Sequence, residues 1–218
     1  MHHVYMQKDK VPAAERAYEH LKRRIIDDEV DDSDMLSEAA LAAELGMSRT
    51  PVREAFLRLE VEGFLKLYPK RGALVVPISP REIREVYEAR LLVDENSARH
   101  ICGLSPEERE LIADVLDATI EEQNAALDAG DLGTYTQLDA KFHQTIMDNG
   151  GNRLLAHLGH TLRERQQRFT ATAIGRSVEK ARAFVAQHAV LADALRTGDI
   201  DSYLTELHSH LNSSRKQL

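Results

Sequence analysis

SEAALAAELGMSRTPVREAFLRLEVEGFLKLYPKRGALVV, residues 37–76, decides the fold of the first third of this chain. SEAALAAEL (37–45) reads as a short helix, Gly46-Met47 as a turn, and SRTPVREAFLRLEVEG (48–63) as a second helix. Ser48 is a good N-cap, and Pro51 falls in the first turn, where its missing N–H costs nothing. Val52, Phe56 and Leu59 make an apolar stripe, and Gly63 suits the stop. FLKLYPKRGALVV (64–76) then alternates around Pro69-Lys70-Arg71-Gly72, the signature of a β-hairpin. Helix, turn, helix and a basic-tipped hairpin together make a winged helix-turn-helix.

Upstream, Pro12 opens a helix with apolar positions at Ala14, Ala17, Leu21 and Ile25, which runs out in the acidic stretch DDEVDDSD (27–34). Downstream, Pro77, Ser79 and Pro80 punctuate the chain, and every later segment has helical period. Helices are expected over about 80–101, 106–129, 132–148, 152–173, 177–197 and 199–214. Ser105-Pro106-Glu107-Glu108 combines a capping box with Pro at the first helical position, and Gly130, Gly150-Gly151 and Gly198 close helices in turn. The fold class expected is mostly α. A winged helix-turn-helix with a small hairpin wing spans 12–76, a linker 77–79, and an all-α antiparallel helical bundle 80–214.

The 218 residues carry a net charge of −8, which taken alone argues against a nucleic-acid partner. The distribution reverses that inference locally. Residues 48–72 hold six Lys or Arg (49, 53, 58, 66, 70, 71) against three Glu, whereas 77–218 hold 16 basic and 22 acidic residues. Arg49 and Arg53, four apart at the start of the second helix, share one face, and either can fork onto guanine O6 and N7. The Ser48 and Thr50 hydroxyls suit phosphates. Lys70, Arg71 and Gly72 at the hairpin tip suit the adjacent backbone or minor groove. The alternative is a protein-binding module with solvated arginines.

Apolar runs are broken well before 18 residues, so no transmembrane helix is expected. Residues 1–12 lack the apolar stretch of a secretory signal. The single cysteine, Cys102, cannot form an internal disulfide and fits a reducing cytoplasm; flanked by apolar residues, it reads as inert packing. With no Trp and 5% aromatics, large all-β architectures are disfavoured.

Ten histidines raise the question of a metal. In 132–148 the apolar stripe is Tyr135, Leu138, Phe142 and Ile146; Asp139 lies on its inward side and His143 at its edge, an i, i+4 pair able to share one ion. In 177–197 His188 stands in the middle of an apolar face, where burial makes it require a partner. Gly198 folds 177–197 and 199–214 into a hairpin that brings either His208 or His210 level with His188. Spacing alone does not choose between those two. Arg90 sits near the centre of the apolar face Ile83, Val86, Tyr87, Val93 and Ala98, where a guanidinium must find an anion: Asp94, four residues on, or a ligand.

The run LSEAALAAELGMSRTPVREAFLRLEVEGFLKLYPKRGALVV resembles the DNA-binding domain of the GntR family of bacterial transcription regulators, the likeness covering about residues 13–76. That resemblance implies base reading by Arg49 and Arg53 and a wing tip at Gly72. Two departures stand out. Ala39 follows Glu38 where family members often carry a DNA-contacting Arg, and acidic DDEVDDSD replaces the usual Gly and Pro-Gly turns. Six carboxylates there would repel phosphates and make binding weaker and strongly salt-dependent. YTQLDAKFHQTIMDNGGNRLL and EKARAFVAQHAVLADALRTGDIDSYLTELHSHL are similar to the FCD ligand-binding domain of the FadR subfamily. This second resemblance implies a divalent transition metal (zinc foremost, nickel or manganese as alternatives) on Asp139, His143, His188 and His210, so the family selects His210 over His208. It also implies an organic-acid effector held in part by Arg90. The reading is thus a cytoplasmic homodimer, not an enzyme, that binds a double-stranded operator and is switched by a small carboxylate. The alternatives are a regulator for which the metal itself is the effector and a metal-dependent hydrolase, for which no motif supplies a general base.

Overall fold

The computed structural model describes residues 11–27, 29, 30, 35–173 and 177–216. Most of the acidic stretch, residues 28 and 31–34, and residues 1–10 lie outside them. The chain divides into two compact units, one ending at Pro77 and one beginning at Ile78.

The first unit comprises α1 (Ala13–Ile26), α2 (Glu38–Glu44), α3 (Arg49–Val61), β1 (Leu65–Tyr68) and β2 (Gly72–Val75). Ala17, Leu21 and Ile25 of α1, Leu41 of α2, Val52, Phe56 and Leu59 of α3, and Leu65, Ala73 and Val75 of the hairpin form one buried core. The apolar stripes read from the sequence are the buried faces. Gly46 turns between α2 and α3 with φ +61°. Gly63 ends α3 with φ +81°, and bonds from Phe64 N–H to the Leu59 carbonyl and from Gly63 N–H to the Glu60 carbonyl complete a Schellman stop. Ser48 occupies the N-cap position, but its hydroxyl accepts no capping bond, so the capping expected of it is not made.

The hairpin pairs Leu65 with Val75 and Tyr68 with Gly72. Pro69 and Lys70 fill its turn, closed by Arg71 N–H on the Tyr68 carbonyl; Lys70 has φ +62°, the left-handed value found at the third residue of a type II turn. Beyond what the sequence suggested, Leu36 exchanges backbone bonds with Ala73 (2.7 and 3.0 Å), adding a short third rung to the sheet. Gly72, at φ +119°, is what permits this. A Cβ there would lie 2.2 Å from the Leu36 carbonyl oxygen. The Gly72 backbone thus packs directly against that of Leu36.

A polar cluster ties α1 to the end of α3. Lys22, 6% exposed, reaches Glu62 at 3.0 Å and donates to the Tyr18 hydroxyl at 2.6 Å, which itself donates to Glu62 at 2.8 Å. Arg58 lies 3.5 Å over the Tyr18 ring. Burial pushes the Glu62 carboxyl up, but Lys22, Tyr18 and Arg58 outweigh it and hold the group below 4.5. Because the folded state binds this proton less well than the unfolded chain, the contribution to stability is present above about pH 4.5 and is lost as pH falls through the lower folded value. Glu62→Gln is expected to cost about 1–3 kcal/mol in denaturant unfolding at pH 7, with the difference from wild type shrinking on acidification.

The second unit is helical throughout: α4 (Pro80–Cys102), α5 (Pro106–Asp128), α6 (Leu132–Asp148), α7 (Arg153–Ala173), α8 (Val178–Thr197) and α9 (Ile200–Arg215). Their starts follow the sequence signals. Ser79, Ser105, Asp131, Ser177 and Asp199 each accept a capping bond, and Ser105 with Glu108 completes the capping box. Gly198, at φ +77°, folds α8 back onto α9. Val93, Ile101, Leu116, Phe142, Ile146, Leu191, Leu195, Tyr203 and Leu207 form the centre of the core. Among the described residues, no helix is long and apolar enough to cross a membrane.

Candidate functional site

In the helical unit α6, α8 and α9 bring His143, His188 and His210 together. All three are buried, their ring centroids are 5.0 Å apart pairwise, and each offers a nitrogen within 4.8 Å of the others. His208, the alternative that spacing left open, is half-exposed and paired with Glu95 at 3.1 Å. The choice follows from the α9 face: Leu207, His210, Leu211 and Ser214 point inward, and position 208 does not. Asp139 stands at the rim, 28% exposed, with Oδ1 3.5 Å from His188 Nε2.

The ring nitrogens are arranged as ligand donors would be. His188 Nδ1 donates to the Gln123 side-chain carbonyl at 3.0 Å, and His210 Nδ1 to that of Gln187 at 3.1 Å. In each the hydrogen-bonded Nδ1–H fixes the tautomer and leaves the lone pair on Nε2. His188 Nε2 and both nitrogens of His143 are shielded from solvent and have no hydrogen-bond partner. Three such atoms are costly to bury unless something completes them. Burial first, then the cations of Arg90 and Arg163, holds His188 down to about 3. Burial likewise drives His143 and His210 well below 6.5. The imidazoles are neutral at pH 7, the form that ligates. Zinc–nitrogen bonds of about 2.0–2.1 Å put ligands roughly 3–3.5 Å apart, so small side-chain rotations would close this trio on one ion. The residues present fit a divalent metal.

Phe142 supports the site from below, its ring stacked on His188 at 4.3 Å with an 18° interplanar angle. Arg90, 1% exposed, projects from α4 toward the same region. Its Nε donates to Asp94 at 3.1 Å and its Nη1 to Gln166, while Nη2 has no partner. Arg90 is thus paired internally and keeps one N–H edge without a hydrogen-bond partner. A narrow cleft is bounded by Arg90, Asp139, Ala140, Arg163, Gln166 and Gln167, and a second shares Asp139 and Gln166 and extends to His210 and Tyr135.

Sequence reasoning missed Gln123, Gln187, Arg163 and Gln166. Gln123 had a signal: it continues the stripe Leu116, Thr119, Ala126 of α5 and so lies inward. Arg163 had none, because the polar run around it on α7 hides the period.

In the first unit Ser48, Arg49, Thr50, Arg53, Lys70 and Arg71 are exposed, and Gly72 is half-buried. The side chains of Arg49, Arg53, Lys70 and Arg71 make no ion pair or hydrogen bond with any described residue, whereas Arg24 and Arg58 are held by glutamates. The start of α3 and the hairpin tip thus present cations that no described residue pairs with.

Comparison with known proteins bears on both units. The family model of bacterial regulatory proteins, gntR family, matches residues 13–75, and that of the FCD domain matches residues 85–213. An uncharacterised HTH-type transcriptional regulator in an unstable DNA locus of Streptomyces ambofaciens is 30% identical over 202 residues, 90% of this chain and 80% of that protein. The gluconate operon transcriptional repressor of Bacillus licheniformis is 28% identical over 196 residues, 88% of this chain and 79% of that one. Among solved structures, E. coli McbR/YncC has a TM-score of 0.75 at 23% identity, covering 93% of this chain and 95% of that one, a likeness of fold.

Proposed function

The chain belongs to the GntR family of bacterial transcription regulators and carries an FCD domain, and from that premise we propose a FadR-subfamily regulator whose operator affinity is switched by a small organic acid. The acid would bind at a metal-containing pocket of the helical unit. The observation that carries this is the convergence of three partnerless or tautomer-fixed imidazoles beside the free Nη2 of Arg90. His143, His188, His210 and Asp139 would hold the metal. When bound, it supplies a Lewis-acidic centre to which a carboxylate can coordinate. Gln123 and Gln187 orient two of the imidazoles, and Arg90 meets the acid through its free edge. One relative is named for the gluconate operon that it represses, and gluconate is a hydroxy-carboxylate.

Arg49 and Arg53 read base edges in the major groove, and Ser48, Thr50, Lys70, Arg71 and the Gly72 region meet phosphates. A cytoplasmic homodimer would place two such surfaces on the two halves of a near-palindrome. Switching then requires only that the acid distinguish two arrangements of the dimer by a few kcal/mol.

The DNA assignment is tested with fragments that the protein itself selects from a genomic library. Arg49→Ala and Arg53→Ala are each expected to cost about 1–3 kcal/mol in anisotropy titrations and to relax preference at one base pair. Unchanged affinity in both would overturn the assignment. Adding acid to metal-loaded and to metal-stripped protein on the same fragment separates the effector readings, since a regulator that senses the metal alone ignores the acid.

A further inference from the structure

Along α3 the residues Arg49, Arg53 and Leu57 follow at four-residue spacing, so each stands about 40° round the helix and about 6 Å along it from the one before. Thr50 falls on the same arc. All four are exposed, Leu57 at 47%, although its neighbours Phe56 and Leu59 are fully buried. Isolated exposed leucines are common on protein surfaces, but this one continues the line of two guanidiniums that pair with no described residue. Glu54 stands about 100° round from Arg53, at the far edge of the exposed face. Arg58, next to Leu57, is diverted: its guanidinium lies over the Tyr18 ring and pairs with Glu15 at 2.9 Å and Glu62 at 3.3 Å. Val61, one turn further on, is 89% exposed.

We infer that Leu57 is a specificity-determining residue of the DNA interface and reads the C5-methyl group of a thymine in the major groove. The inference rests on the DNA-binding reading of α3 and adds to it a contact of the opposite chemistry. On the major-groove edges of the base pairs the groups that distinguish the bases are hydrogen-bond donors and acceptors, save the thymine methyl. An apolar side chain carried into that groove beside Arg53 gains by leaving water only against such a methyl. Against a donor or acceptor it strips water from a polar group and returns no hydrogen bond. Recognition helices of helix-turn-helix proteins read bases over about two turns from their start, and Arg49 to Leu57 spans about two turns. The step of about 6 Å from Arg53 to Leu57 is under two base pairs of about 3.4 Å each. The thymine is therefore expected within about two base pairs of the base that Arg53 reads. Val61 lies past those two turns and is expected to make no such contact.

The test uses the full chain and a fragment it selects from a genomic library, with each thymine of the bound site replaced in turn by deoxyuridine. That change removes one methyl group and keeps the base pairing. In anisotropy titrations wild type is expected to bind about 3- to 5-fold more weakly at one or more thymines, the worth of one buried methyl group. At least one of these should lie within about two base pairs of the position where Arg53→Ala relaxes preference. Leu57→Ala should bind the thymine and uracil duplexes alike there, while keeping the salt dependence that phosphate contacts set. Val61→Ala should stay as sensitive as wild type. A destabilised helix would weaken binding at every position equally, so loss of structure does not imitate the result. If Leu57→Ala binds too weakly to titrate, Leu57→Met, which keeps an apolar chain, should retain the sensitivity, and its indifference to uracil would overturn the inference. A wild type indifferent to every uracil near that position, or a Leu57→Ala still sensitive there, would also overturn it and leave DNA binding by Arg49 and Arg53 standing. A chain that selects no fragment at all would overturn the DNA-binding reading, and the methyl contact with it.

Discussion

Removing metal from the zinc-loaded protein is expected to lower the melting temperature of the helical unit by roughly 10 °C. A ligand that binds only the native state stabilises it by about 4 kcal/mol at a thousandfold excess over its Kd. For a unit of the size that begins at Ile78, each kcal/mol moves the midpoint by about 2–4 °C. Without an ion the site is costly to bury, because His188 Nε2 and both His143 nitrogens are shielded without hydrogen-bond partners. His188→Ala should abolish the metal-dependent shift and reduce metal per chain, measured by plasma mass spectrometry, to background. Asp139→Ala should weaken retention less completely, since Asp139 sits at the rim and water can take its place. Gln123→Ala, which frees the His188 ring, is expected to lower metal affinity by about 10- to 100-fold without touching a ligand. A protein that retains no metal after loading and shows no shift would make the three histidines a packed core. The effector would then have to bind around Arg90 without an ion.

The second large effect is at Phe142. Its side chain is fully buried, belongs to the central core of the helical unit, and stacks on His188. Phe142→Ala is expected to cost roughly 3–5 kcal/mol, from lost burial plus the cavity left behind. Denaturant unfolding should show this as a lower midpoint with an unchanged slope. Phe142→Leu separates packing from site geometry. It refills most of the volume, so stability should fall by no more than about 1.5 kcal/mol. The platform under the His188 ring is nevertheless gone, and metal affinity should drop more than stability does. If Phe142→Leu binds metal as wild type does, the stacking is packing alone.

The fold was legible in the sequence wherever polarity and burial agree. Ser105 and Glu108, Gly63 and Gly198 delimit helices by local backbone chemistry, and those signals need no tertiary context. The stripes Val52, Phe56, Leu59 and Phe142, Ile146 are buried as their period implies. The readings failed or stopped short where the fold buries polar groups or joins distant backbone. Lys22 and Tyr18 enter the first core because Glu62, 40 residues away, receives Lys22. The Leu36 rung forms because Gly72 lacks a Cβ, a long-range fact that no local window contains. At the pocket, period placed His188 and Asp139 inward and His143 at the stripe's edge, whereas His143 is fully buried and Asp139 stands at the rim; a family resemblance was needed to prefer His210 to His208. The glutamines that orient the rings and the buried Arg163 became visible only in three dimensions. A polar side chain inside a helix gives no sequence-level sign of which neighbour, or which ligand, will satisfy it.

The hairpin that Gly198 creates also bears on the order in which the pocket assembles. His188 and His210 lie on α8 and α9, which are consecutive, so closing the chain between them spans only 22 residues. His143 must arrive from α6, 45 residues before His188 and on the far side of α7. Loop-closure entropy grows with the logarithm of length, and contacts between adjacent helices form early in folding. Bringing His188 to His210 therefore costs less chain entropy than bringing His143 to either, which needs α6 to dock.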